Sequence, residues 1–295
     1  MNPSTDITES IIPKKSRFAI NPKTIYITAT PIGNLGDITI RALEVLQDVD
    51  FIVCEDTRKT GVLLQYYGIK SKLFIYNDHS NDIQRSKLLC MLQSGKSAAL
   101  VSDAGMPLIS DPGYKLIGDC IKEGVSFSVI PGASSTISAI ALSGLPSDKF
   151  LFYGFLPDKS SARKKVLDDI QFLQYTLILF ETAKRLKDSL KDMNEFMPFR
   201  KISIAREITK LHEEVYRGTI SEAVAWADSH THLKGEIVIV LDGYHKVNTS
   251  SDEEIKNIAL NMLKTSSLKD TVEEISKTFS IKKKQVYEIC LKLID

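Results

Sequence analysis

Ser102-Asp103-Ala104-Gly105-Met106-Pro107-Leu108-Ile109-Ser110-Asp111-Pro112-Gly113-Tyr114 is the segment best suited to hold a small ligand. Its two glycines and two prolines fix the path of the chain, and its small residues let a ligand approach the backbone, a combination that suits a folded cofactor. Ile130-Pro131-Gly132-Ala133-Ser134-Ser135-Thr136 offers a helix start with three hydroxyls and free N–H donors for a carboxylate or ribose, although an ordinary N-cap needs only one of them. Thr30-Pro31-Ile32-Gly33-Asn34-Leu35-Gly36-Asp37 is similar to a nucleotide loop but lacks G-x-G-x-x-G spacing. A dinucleotide site is therefore disfavoured, and a plain turn capped by Asp37 is the competing reading. Glu55-Asp56-Thr57-Arg58-Lys59-Thr60 concentrates both charges, reading either as a capped, solvated helix start or as two cations, Arg58 and Lys59, for a phosphate backbone. Asn77-Asp78-His79-Ser80-Asn81-Asp82 is dense in hydrogen-bonding groups and carries little weight alone.

Metal chemistry has little support. Cys54, Cys90, Cys120 and Cys290 are scattered among apolar neighbours without paired spacing, and they read as reduced core or helix residues. His230-Thr231-His232 after Asp228 sits in a polar stretch before a glycine and reads as a solvated loop.

Strands are expected at Ile25–Ala29, Phe51–Cys54, Leu73–Tyr76, Ala98–Val101 and Phe127–Ile130, alternating with segments of helical period. That alternation implies a mostly parallel sheet covered on both faces, with the loops above at its strand ends, where ligands collect in open sheets. After Gly144-Leu145-Pro146-Ser147, further strands at Phe150–Tyr153, Thr176–Phe180, Lys201–Ala205 and Glu236–Leu241 alternate with helices near 161–173, 183–192 and 219–228. The expected division is a mobile tail over 1–23, α/β domains over 24–147 and 148–246, and, past a polar linker, a helical tail over 252–295 with helix-turn-helix spacing.

With 295 residues, 43% hydrophobic and 25% charged, the chain suits about two folded domains and is too apolar for disorder. Lys and Arg total 38 against 37 acids, so any nucleic acid must bind a local patch rather than a global field. No run approaches a membrane span, and residues 1–23 lack the features of a signal peptide or presequence, so a cytoplasmic location is expected.

Thr30-Pro31-Ile32-Gly33-Asn34, Glu55-Asp56-Thr57-Arg58, Ser102-Asp103-Ala104-Gly105-x-Pro107, Asp111-Pro112-Gly113-Tyr114, Gly154-Phe155-Leu156-Pro157 and Ala205-Arg206-Glu207-x-Thr209-Lys210 occur in this order. Together they resemble the tetrapyrrole methylase family, and within it the branch acting on small-subunit ribosomal RNA. The resemblance implies a class III methyltransferase fold, two α/β domains with the helical tail, in a homodimer with S-adenosylmethionine in the interdomain cleft. It implies 2′-O-methylation of a cytidine in the decoding region of 16S ribosomal RNA, in the free RNA or the small subunit. By position, Pro31, Asp103, Ala104, Gly105, Met106, Ile109, Gly132, Ser134 and Ser135 would line the cofactor site, closed by Phe180, Glu181 and Ala205. Met106 stands where the family has a small polar residue, and Lys184 where it has a histidine.

Methyl transfer needs an in-line oxygen, and a cleft of small, mostly neutral residues near sulfur would not oppose dispersal of the sulfonium charge. Glu181 and Glu207 are the candidate general bases, with ion pairing to Arg206 or Lys210 the competing role for Glu207. Arg58, Lys59, Arg163, Lys164, Lys165, Arg206, Lys210 and the Lys282-Lys283-Lys284 run are candidates for gripping RNA, although such a run is more usually a solvated face. Methylation of a precorrin-like ring would share the cofactor loops but leaves Glu55–Arg58 and the tail without a purpose. A ligand-sensing DNA-binding regulator fits the helix-turn-helix spacing, yet the eight basic and eight acidic residues of 251–295 make a weak DNA module.

Overall fold

The computed structural model describes residues 19–77, 82–230, 233–245, 252–279 and 283–294. Asp78, His79, Ser80, Asn81, Thr231, His232 and Lys282 from the readings above, and residues 1–18 of the expected tail, lie outside the described residues.

Five strands, β1 (Thr24–Thr28), β2 (Phe51–Cys54), β3 (Leu73–Ile75), β4 (Ala98–Val101) and β5 (Ser126–Ile130), form a sheet of order β3-β2-β4-β1-β5. Every pairing in it is parallel. β1, β2 and β4 are buried along their whole length, so alternate residues supply two different cores. Ile25, Ile27, Phe51, Val53, Ala98 and Leu100 face one side, where helices α3 (Asp82–Gln93) and α4 (Tyr114–Lys122) pack through Leu88, Leu92, Leu116 and Cys120. Tyr26, Ile52, Cys54, Ala99 and Val101 face the other, covered by α1 (Ile40–Asp48) and α2 (Thr57–Tyr66) through Leu43, Leu46 and Leu64. The chain leaves the adjacent strands β1 and β4 toward opposite faces. Such a switch point opens a crevice at the strand ends.

The second sheet has the order β6-β7-β10-β8-β9. It comprises β6 (Phe150–Phe155), β7 (Thr176–Thr182), β8 (Lys201–Arg206), β9 (Glu214–Thr219) and β10 (Glu236–Leu241). Only the β6–β7 pairing is parallel. Helices α6 (Ser160–Ile170), α7 (Leu186–Phe196) and α8 (Ile220–Ser229) cover one face with Leu167, Leu186, Leu190, Met193 and Ile220. The other face is covered by α5 (Ser135–Ser143), the helix that follows β5. Its Ala139 and Ile140 pack with Ile178, Ala205, Val238 and Val240, and Ile32 and Ile208 complete this shared core. Arg217 of β9 reaches back to cap α5, its Nε donating to Ser143 O at 3.2 Å. The two sheets are thus tied by a common core and a helix cap.

The polar strand β9 was not expected from sequence, and the first three helices of the second sheet differ from expectation only at their ends. Three further helices, α9 (Asp252–Met262), α10 (Leu268–Phe279) and α11 (Lys283–Ile294), bury Ile255, Ala259, Val272, Ile275, Val286, Ile289 and Cys290 among themselves. Phe279 stacks on Phe199 with ring centroids 6.1 Å apart, joining this bundle to the second sheet.

Candidate active site

A cavity of about 380 Å³ lies where the loops after β1 and β4 meet the β6, β7 and β10 ends of the second sheet. A two-stranded bridge closes its floor: Thr30 N donates to Gly105 O at 2.9 Å, and Gly105 N donates back to Thr30 O at 3.0 Å. Thr30 Oγ1 also donates to Ser102 O at 3.3 Å. The backbone holds Leu108 and Ser110 at positive φ, 76° and 62°, a conformation maintained by the packing around this loop. Ser134 caps α5, accepting from Ile137 N, so the hydroxyl-bearing start of that helix faces the cavity.

Of the residues expected at the cofactor site, Asp103, Ala104, Gly105, Met106, Ile109, Ser134, Ser135, Phe180 and Glu181 are all in the wall. Pro31, Gly132 and Ala205 are adjacent to it rather than in it, Ala205 being buried in the core shared by the sheets. The wall also contains Asp111 of the Ser102–Tyr114 segment, together with Ile32, Glu55, Phe155, Ile208, Gly235 and Glu236, which were not expected at a cofactor. Glu55 and Asp111 lay in motifs already quoted. Nothing local marked Gly235 and Glu236, which arrive only because β10 is central in its sheet.

Most of the wall is uncharged, and five carboxylates, Glu55, Asp103, Asp111, Glu181 and Glu236, also line it. Asp103, Glu236 and Glu181 have cationic partners that mute their field. Lys59 Nζ donates to Asp103 Oδ2 at 2.6 Å, and that bond holds the ammonium pKa above its ordinary value. Lys210 Nζ donates to Glu236 at 3.0 Å. Arg185 Nε lies 3.3 Å from Glu181 Oε1. Asp103 Oδ1, by contrast, is buried with no hydrogen-bond partner among the described residues.

Both candidate bases are engaged. The side chain of Glu181 is 1% exposed, and it accepts from Ser189 Oγ at 2.5 Å and from Thr182 N at 2.7 Å. Arg185 extends this cluster to the 154–158 segment by donating to Leu156 O at 2.6 Å and pairing with Asp158. The arginine thereby joins the two strand ends that carry Phe155 and Phe180, whose rings meet edge to face at 5.6 Å. Glu207 lies outside the wall and accepts from Lys210 Nζ at 2.9 Å and Glu236 N at 3.0 Å. The Lys210 bond outweighs desolvation and holds its carboxyl below the usual range, the opposite of the tuning a base at neutral pH needs.

The cations expected to grip RNA divide. Arg58 has a side chain 89% exposed, bonded to Asp56, whose carboxyl it holds down at about 2. Asp56 also caps α2, so Arg58 lies in a helix start as well as on an open face. Arg206 pairs with Glu214 at 3.0 Å, and Lys164 with Glu195 at 2.7 Å. Lys165 and Lys284 are exposed, while Lys283 pairs with Glu273 at 2.9 Å. Arg163 must be corrected. It is 3% exposed and ion-paired with Asp192 at 2.6 Å, which makes it a core residue.

Comparison with known proteins now adds to this geometry. The model of the tetrapyrrole (corrin/porphyrin) methylases matches residues 24–224. A "Ribosomal RNA small subunit methyltransferase I" of Thermotoga maritima is 46% identical over 219 residues, covering 74% of this chain and 98% of that one. The protein of the same name from Escherichia coli O157:H7 is 42% identical over 241 residues, covering 81% and 83%. Among solved structures, a uroporphyrin-III-C-methyltransferase of Thermus thermophilus superposes with a TM-score of 0.52 at 19% identity, covering 75% of this chain and 94% of that one.

Proposed function

Because the chain belongs to the tetrapyrrole (corrin/porphyrin) methylase family, we propose that it methylates the 2′-oxygen of a cytidine ribose in 16S ribosomal RNA, with S-adenosylmethionine as donor. The observation that carries this reading is the shared identity of 42–46%, over about three quarters or more of the chain, with methyltransferases named for small-subunit ribosomal RNA. That similarity favours neither a corrinoid ring nor a DNA operator as the target.

The cavity suits this donor. It combines a buried, unpartnered carboxylate oxygen on Asp103, hydroxyls at the start of α5 and an aromatic shelf of Phe155 and Phe180. Asp103, Gly105, Met106, Ser134 and Ser135 would hold the molecule from the first domain, and Phe155, Phe180 and Ile208 from the second. When bound, the donor supplies an electrophilic methyl group on a sulfonium. The protein's task is then to place a ribose oxygen in line with it, and such positioning is worth about 7–11 kcal/mol. Lys59, Arg185 and Lys210 neutralise wall carboxylates, so the ground-state sulfonium is not held by a surplus of negative charge that would be lost in the transition state. Glu181 acts as a positioning residue for the aromatic shelf. Arg58, Lys165, Arg206 and Lys284 would meet RNA phosphates.

A homodimer is part of the same reading. β5 and β6 are edge strands, and their exposed Phe127, Val129, Phe150, Leu151 and Tyr153 support coverage by a second copy. Among the described residues no helix is long and apolar enough to cross a membrane.

Mapping ribose methylation in 16S RNA from cells with and without the gene tests the function. One cytidine should lose its 2′-O-methyl group in the deletion strain and regain it when the gene is restored. An unchanged map would overturn the proposal.

A further inference from the structure

The loop from Glu207 to Glu213 does two things at once. Ile208 enters the cleft wall, while Leu211, three residues on, is 92% exposed. A single exposed leucine is ordinary. The construction around this one is not.

Glu207 and Thr209 are held at φ 52° and 67°, a left-handed backbone that residues with side chains keep where their surroundings impose it. Lys210 N donates to Glu207 O at 3.0 Å and Glu213 N to Lys210 O at 3.1 Å, which closes two successive turns. Thr209 N donates to Glu213 Oε2 at 2.6 Å. On one side Lys210 Nζ bridges Glu207 and Glu236. On the other, the first domain presses close: a Cβ on Gly33 would stand 2.4 Å from Lys210 Cγ and 3.0 Å from Ile208 O. The loop is clamped between the β1 loop and the start of β10, and its apolar tip is fixed beside the cleft.

We propose that this loop is an RNA-contacting finger whose Leu211 wedges against the bases flanking the nucleotide to be methylated. The inference rests on the RNA reading above and deepens it. In folded RNA the 2′-hydroxyl is displayed in a shallow minor groove, so carrying it into a recessed cleft draws the nucleotide away from its stacked neighbours. An apolar side chain inserted at a base step lowers the cost of that opening, and it does so best on a rigid support. A base face is flat, apolar and available at every position of an RNA, and it lies beside the ribose that the cleft must receive.

The test uses small ribosomal subunits, and 16S RNA extracted from them, purified from cells lacking the gene. For Leu211→Ser the KM for RNA or subunits should rise at least about tenfold, as expected when one leucine side chain is left in water. The slope of affinity against salt should not change, because no phosphate contact is removed. Calorimetric binding of S-adenosylhomocysteine and the sedimentation coefficient should also be unchanged, and Leu211→Phe should retain wild-type KM. An unaltered KM in Leu211→Ser overturns the finger. So does weakened S-adenosylhomocysteine binding, which would make the loop a support of the donor site, and so does altered sedimentation, which would place a second copy on the tip. If the wild-type protein methylates neither substrate, the RNA reading itself fails and the finger with it.

Discussion

Glu181 near the end of β7 and Glu207 just past the end of β8 carry the same functional group and are both candidates for accepting the ribose proton, but their surroundings assign them different work. Glu207 is held ionised by Lys210 and by Glu236 N. A Cβ on Gly235, whose φ is 99°, would stand 2.4 Å from its carboxyl, so the carboxylate occupies space that only glycine leaves free. Its pKa in the folded protein lies below the unfolded value of about 4.3, so its stabilising contribution is complete above that pH and disappears as pH falls through the folded value. Glu207→Gln should therefore be less stable than wild type in urea at pH 7, with the difference shrinking as pH falls below the usual carboxylate range. A constant difference across that range would show that the ion pair contributes nothing. For Glu181, a positioning role predicts that Glu181→Gln keeps the shape of the pH profile of kcat and weakens S-adenosylhomocysteine binding through the displaced Phe155–Phe180 shelf. Loss of the alkaline-rising limb of that profile would restore Glu181 as the base.

Elements were legible in the sequence wherever burial alone specified them. β1, β2 and β4 are enclosed on both faces and read as unbroken apolar runs; Phe51–Cys54 and Ala98–Val101 fall where the pattern put them. β9 failed that test because Glu214–Thr219 is a half-exposed edge strand containing Glu, Arg and Gly, identified only by its pairing with β8. Long-range ion pairs were equally invisible. Lys59 lies in the first turn of α2 and Asp103 in the loop after β4, and Arg163 looks like any basic helix residue until α7 brings Asp192 against it. In that pair Arg163 Nε donates to Asp192 Oδ2 at 2.7 Å, Ser160 Oγ donates to Oδ1 at 3.0 Å, and Arg163 Nη1 donates to Asp158 O at 3.2 Å. Removing one partner of so enclosed a pair costs about 3–5 kcal/mol, because the other charge is left buried and uncompensated. Arg163→Ala should lower the urea midpoint accordingly, while the Arg163→Met, Asp192→Leu double variant recovers most of the loss. If Arg163→Ala instead leaves stability intact and flattens the salt dependence of RNA binding, the arginine belongs to the RNA surface after all.

At the scale of the molecule, the site is an interdomain construction, and so is its exposed edge. α5 begins at the cleft with Ser134 and Ser135, packs on the second sheet through Ala139 and Ile140, and is capped by Arg217, so it ties the cleft wall to that sheet. Among the described residues β5 pairs on one side only, with β1, and β6 on one side only, with β7. Phe127 and Val129 on the first edge are 44% and 47% exposed, and Phe150 and Leu151 on the second 42% and 40%. Edge strands that remain open to water are usually short, charged or covered, whereas these carry no charge and expose aromatic and aliphatic side chains. A second copy laid over them would also reach Phe155, which is 50% exposed at the end of β6 and lines the cleft. Dimerisation and donor binding should then be coupled. Val129→Lys, which sets a charge on the exposed edge of β5, should sediment as a monomer at concentrations where wild type is a dimer, and should bind S-adenosylhomocysteine more weakly because Phe155 loses its cover. A monomeric variant with unchanged binding would separate the interface from the site. A wild-type protein that is monomeric at micromolar concentration would leave these edges to another partner, with the ribosomal subunit the surface to test next.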